Sequence, residues 1–99
     1  MLTDKNLKIF TLKECINKIS NITATGEHTV GLILGLARRT VLYNKSIIEK
    51  NEWNRELYMG SQLSNKTIGI IGLGRIGKQV AKTCKSLSMN ILAYDIKEH

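Results

Sequence analysis

The run GIIGLGRIGK, residues 69–78, carries Gly72, Gly74 and Gly77 at the spacing G-x-G-x-x-G. Residues in that pattern suit one task, which is to hold the pyrophosphate of a dinucleotide against the start of a helix. Gly72 permits a tight turn. Gly74 has no side chain, so its backbone can come close to a phosphate. Gly77 lets the helix lie near the preceding strand. The N–H groups around Arg75 and Ile76, at the helix start, carry partial positive charge toward the phosphates, and Arg75 adds a full charge. Asp95 stands eighteen positions after Gly77, at the end of the next apolar run. A carboxylate there accepts hydrogen bonds from ribose hydroxyls and repels a 2′-phosphate. The constellation therefore favours NAD over NADP, with Lys97 pulling weakly the other way. Glycine spacing alone is a weak signal, because a turn in a strand–helix unit need bind nothing; its context makes it specific.

The elements around the turn follow from the pattern. Residues 66–71 (KTIGII) are short, apolar and β-branched without strict alternation, which predicts a parallel strand covered on both faces. Residues 75–87 read as a helix whose Ile76, Val80, Cys84 and Leu87 share a face. Residues 90–94 (NILAY) read as a second strand ending at Asp95. Upstream, the spacing predicts one long helix over residues 26–50, bent at most, with an apolar stripe of Val30, Leu34, Ala37, Val41 and Ile48. Leu32, Ile33 and Leu36 widen that stripe, so the first half should be buried nearly all round. Thr23 or Thr25 can cap it, Glu27 suits the dipole in the first turn, and Asn51 is a natural left-handed stop. Residues 51–65 form a connector that should lie against a surface through Trp53, Leu57, Tyr58 and Met59, with a turn at Gly60 and Ser61. Residues 7–12 could form a short strand, and residues 13–19 are ambiguous.

Composition narrows the partners. The 99 residues allow one small domain at most, and the net charge is +7, from 15 Lys+Arg against 8 Asp+Glu. The cations are scattered, and no aromatic residues alternate with them as a base-stacking surface would need, so a nucleic-acid partner is not expected. The apolar run at residues 29–37 is far shorter than the about 20 residues that a bilayer requires, so no membrane partner is expected either. Cys15 and Cys84 show no CxxC spacing and read as free thiols in a reducing compartment. The opening residues show no signal peptide, so the cytoplasm is the expected location. No cluster suggests a metal.

Three blocks make the chain resemble the D-isomer-specific 2-hydroxyacid dehydrogenases, the family that includes phosphoglycerate dehydrogenase. They are TATGEHTVGLILGLARR (23–39), NEWNRELYMGSQLSNKTIGIIGLGRIGKQVAK (51–82) and MNILAYD (89–95). Gly26 departs from the alanine usual in the family. The resemblance implies an α/β fold: a partial Rossmann-type doubly wound parallel sheet, its first βαβ unit, preceded by a long interdomain helix. It divides the chain into the end of a substrate (catalytic) domain at 1–22, an interdomain helix and connector at 23–65, and the start of an NAD-binding domain at 66–99.

The same resemblance assigns cofactor binding to Gly72, Gly74, Arg75, Ile76, Gly77 and Asp95, and implies a small 2-hydroxy or 2-oxo acid as substrate. It places the long helix at a homodimer interface and Asn21 near the cleft between domains. The family's catalytic arginine, glutamate and histidine follow the fingerprint at greater distance than this sequence extends. Neither His28 nor His99 matches the catalytic position, so the chain is expected to be a fragment without dehydrogenase activity of its own. Two alternatives differ in class: a non-enzymatic NAD-sensing corepressor on the same fold, and an independent small basic module or inactive partial fold.

Overall fold

The computed structural model describes residues 7–9, 11, 21–53, 56 and 59–98. Its elements are α1 (Ala24–Ala37), α2 (Thr40–Lys50), β1 (Thr67–Ile71), α3 (Arg75–Ser86) and β2 (Asn90–Tyr94). Leu7 to Ile9 form no strand. Thr11 is in no strand either. Residues 10 and 12 of the expected first strand, residues 13–19 with Cys15, and Leu57, Tyr58 and His99 lie outside the described residues.

β1 and β2 pair in parallel, from Thr67 opposite Asn90 to Ile71 opposite Tyr94. A parallel pair needs a crossover, and α3 supplies it. Val80, Cys84 and Met89 are buried at the centre, with Ile68, Ile70 and Ile91 of the sheet, Ile76 of α3, Leu87 at its end, and Val30 and Ile33 of α1 packed around them. The 3.6-residue period of α3 and the two-residue period of the strands thus meet on one face. The end of α3 is fixed by a Schellman closure: Ser88 N–H donates to Lys85 O at 2.9 Å, and Met89 N–H to Cys84 O at 3.1 Å. Ser88 adopts φ 62° to allow it.

Among the described residues the strands are covered on one face only, not on both as their composition suggested. Ile68 and Ile70 are half-buried, while Thr67, Gly69 and Ile71 are exposed. α3, the helix in contact with the sheet among the described elements, lies on the side of Ile68, Ile70 and Ile91, so Ile71 on the other side remains 89% exposed.

The single long helix is also corrected. The chain breaks between α1 and α2 at Arg38 and Arg39, and Arg39 is left-handed at φ 54°. Neither glycine nor proline marks the place. The cause lies in the connector: Ser61 N–H donates to Ala37 O at 2.9 Å. Gly60 is pressed so close that a Cβ there would stand 2.3 Å from that same carbonyl oxygen and 2.7 Å from Arg38 Cα. The apolar stripe is not buried nearly all round: Leu32 is 62% and Leu36 83% exposed. Only Gly26 of α1 is buried, because α3 covers one side of α1 and α2 packs on no element but α1 among those described.

The helix ends agree partly with expectation. Asn51 closes α2 in the left-handed conformation at φ 50°. Thr23 stands at the N-cap of α1, but its side chain does not cap the backbone; its Oγ1 donates to Glu27 Oε2 at 2.7 Å instead. Gly60 and Ser61 cross the end of α1, and the turn falls at Ser64 and Asn65, with Asn65 at φ 67°. Trp53 and Met59 are exposed, so the connector touches α1 through backbone rather than through these side chains. No helix among the described residues is long and apolar enough to cross a membrane.

Candidate functional site

The site forms where β1 ends and α3 begins. Gly72 turns the chain at φ 96°, a conformation that glycine adopts freely. Its N–H continues the sheet pairing by donating to Tyr94 O at 2.7 Å. Its carbonyl oxygen faces Gly77 across the turn, where a Cβ would come to 2.1 Å. The first and third glycines are therefore demanded by the chain's own backbone.

Gly74 is different. It stands at the N-cap of α3 in an extended conformation, and no side chain caps the helix. A Cβ built on it meets nothing within 4 Å. The helix takes up its hydrogen bonding only at Lys78, whose N–H donates to Gly74 O at 3.0 Å. By helix geometry the N–H groups of Arg75, Ile76 and Gly77 have no acceptor within the helix. Open space over Gly74 beside those donors fits a phosphate. Thus the residues present fit the pyrophosphate of a dinucleotide, and a side chain at Gly74 would meet nothing within the chain.

Asp95 is brought to the same place. Its Oδ2 accepts the Leu73 N–H at 2.9 Å, and its Oδ1 accepts the Ile96 N–H at 2.7 Å. The carboxylate therefore ties the end of β2 to the middle of the glycine turn. Gly72, Gly74, Arg75, Lys78, Asp95 and Lys97 line one open groove, which carries three cationic side chains against one carboxylate. Ile76 and Gly77 face the other way, toward Ile33, Ile68 and Val80. Of the expected site residues, these two can reach a ligand only through backbone. The Arg75 guanidinium is not aimed at the groove alone: its Nη1 donates to Ile22 O.

Two contacts had no sequence signal. Leu73 is an unspecified position of the glycine motif, yet its N–H anchors Asp95. Gln79 donates from Nε2 to Thr23 O at 2.9 Å; its i+4 spacing from Arg75 is the one trace of this that the sequence holds. Cys84 is a free thiol that is fully buried, and desolvation raises its pKa. Among the described residues no three His, Cys, Asp or Glu side chains gather as metal ligands would.

Comparison with known proteins agrees with this geometry. Residues 30–99 match the family described as D-isomer specific 2-hydroxyacid dehydrogenase, NAD binding domain. The chain is 48% identical over 75 residues to the D-3-phosphoglycerate dehydrogenase of Archaeoglobus fulgidus, which covers 76% of this chain and 14% of that protein. It is 45% identical over 78 residues to the glyoxylate reductase of Thermofilum pendens, covering 75% of this chain and 23% of that one. The NAD-dependent formate dehydrogenase of Staphylococcus aureus, solved in complex with NAD, superposes with a TM-score of 0.72 at 33% identity, over 81% of this chain and 25% of that chain. The chain therefore spans about a seventh of the length of the phosphoglycerate dehydrogenases it matches. The α/β arrangement is of the Rossmann type these dehydrogenases share, and NAD is the cofactor of the matched domain.

Proposed function

Because the chain belongs to the D-isomer-specific 2-hydroxyacid dehydrogenases, matched over their NAD-binding domain, we propose that its glycine turn holds NAD. The backbone N–H groups of Arg75 and Ile76 bind the pyrophosphate over Gly74, and Asp95 accepts from the adenosine ribose hydroxyls. Lys78 and Lys97 offset the phosphate charge across the groove. When bound, the cofactor supplies hydride exchange at its nicotinamide with a 2-hydroxy or 2-oxo acid carbon. This chain's part is to bind and orient it.

The observation that carries the reading is Gly74. Gly72 is explained by its positive φ and Gly77 by its closeness to Gly72 O, whereas neither reason applies to Gly74. Titration calorimetry with NAD tests it. Gly74→Val should leave far-UV circular dichroism unchanged and weaken NAD binding at least about tenfold, the loss of roughly 1.4 kcal/mol. Equal affinity in the two proteins would refute the assignment.

The division at residues 22 and 65 separates the chain entering from a substrate-binding portion, the two helices and connector, and the cofactor unit. The exposed strip of Leu32, Leu36 and Val41 beside Gly31 and Gly35 is the surface for a homodimer of the complete protein. No nucleic acid or lipid enters this account, and the setting it implies is the cytoplasm. The family's catalytic trio has no counterpart at matching positions in these 99 residues, so the chain by itself should bind NAD without turning over 2-oxo acids.

A further inference from the structure

Behind the glycine turn lies a hydrogen-bonded joint. Arg75 and Gln79 are four residues apart on α3 and so project from one face. Arg75 Nη1 donates to Ile22 O, and Gln79 Nε2 donates to Thr23 O at 2.9 Å. These carbonyls belong to the last two residues before α1. Thr23 O also accepts the Glu27 N–H at 3.0 Å, the first helical bond of α1. The joint therefore closes on the point where that helix is nucleated.

Gly26 makes the contact possible. It is buried, and a Cβ there would stand 2.3 Å from Gln79 Cδ and 2.6 Å from its Nε2. Gly26 is the socket for the Gln79 amide. The two ends of the joint are more than fifty residues apart in sequence, so it links the nucleotide turn to the chain that enters α1.

We propose that Arg75 and Gln79 are positioning residues that couple order in the nucleotide turn to order at residues 22–27. Arg75 then serves the cofactor through its backbone N–H, while its guanidinium is committed to Ile22 O rather than to phosphate. A ligand that fixes the first turn of α3 fixes the roots of both side chains. Each then loses less freedom in holding its carbonyl, and the effect runs equally in the other direction. The cofactor half of this proposal rests on the NAD reading above.

Amide hydrogen exchange at Glu27 and His28, with and without NAD, tests the coupling alongside calorimetric NAD affinity. In the 99-residue protein NAD should slow exchange there several-fold. Arg75→Gln and Gln79→Ala should each speed basal exchange about tenfold and abolish the slowing by NAD, and Gln79→Ala, which lies outside the groove, should change affinity less than about threefold. Gly26→Ala should reproduce Gln79→Ala, because the new methyl displaces the amide. Arg75→Lys keeps a donor and should restore part of the effect. Far-UV circular dichroism checks each fold, and Gln79→Ala carries the test if Arg75→Gln unfolds. A tenfold loss of affinity in Arg75→Gln with unchanged exchange would overturn the proposal and make the guanidinium a phosphate ligand. So would NAD binding that leaves Glu27 and His28 unaffected. If the parent chain binds no NAD while the variants still loosen residues 24–28, the NAD reading fails and the joint stands.

Discussion

At the scale of single residues, Asp95 serves two partners. Its carboxylate holds the Leu73 and Ile96 N–H groups, and it lines the groove where ribose hydroxyls would sit in the proposed complex. Asp95→Ala should therefore weaken NAD by about 2 kcal/mol and narrow the preference over NADP, both readable by calorimetry. Unchanged preference would remove Asp95 from the ribose site. Ser88 sits left-handed at φ 62°, so Ser88→Gly should stabilise the chain by about 1 kcal/mol in urea unfolding. Cys84 is fully buried and its thiol pKa is raised. The folded state thus keeps a proton that the unfolded chain releases. The contribution is complete below the ordinary thiol pKa and is lost as pH rises toward the folded one. Cys84→Ala should flatten the decline of melting temperature above about pH 9. The site residues were legible because their roles are local: a turn, a helix start, a strand end. The Leu73 link was not, since any residue type can donate a backbone N–H.

Among the elements, the three glycines divide by what surrounds them. Gly77→Ala drives a methyl into Gly72 O, a backbone atom that cannot swing aside. It should cost about 3 kcal/mol. Gly74→Ala projects into open space, and loss of a favourable N-cap residue should cost only about 1 kcal/mol. Thermal melts of the two variants measure the contrast, and equal losses would contradict the geometry. The break between α1 and α2 depends on a connector more than twenty residues away. No periodicity in residues 26–50 could announce it, for there the apolar pattern runs on unbroken through Arg38 and Arg39. Arg39→Gly should stabilise the broken form by about 1 kcal/mol by relieving its left-handed backbone. The strands were legible in place and pairing type, but not in coverage. β-branched composition reports that a strand is apolar, not which of its faces finds a partner.

Over the whole molecule, the described elements form one half-covered parallel pair with two helices leading into it. The Cα radius of gyration is 19.3 Å, against about 13 Å for a compact chain of this length. Leu36, Val41, Ile71 and Ile96 are each more than 70% exposed. That surface fits a segment whose family relatives are several times longer. The proposed cofactor site nonetheless lies within the chain: the turn, the helix start and Asp95 are joined by bonds among residues 72–96. The most direct test of the account is a ¹H–¹⁵N correlation spectrum recorded during NAD titration. Saturable shifts at Gly72, Leu73, Gly74, Arg75, Ile76 and Asp95 are the predicted result. Saturable shifts confined to Leu32, Leu36 and Val41, or none at all, would contradict it.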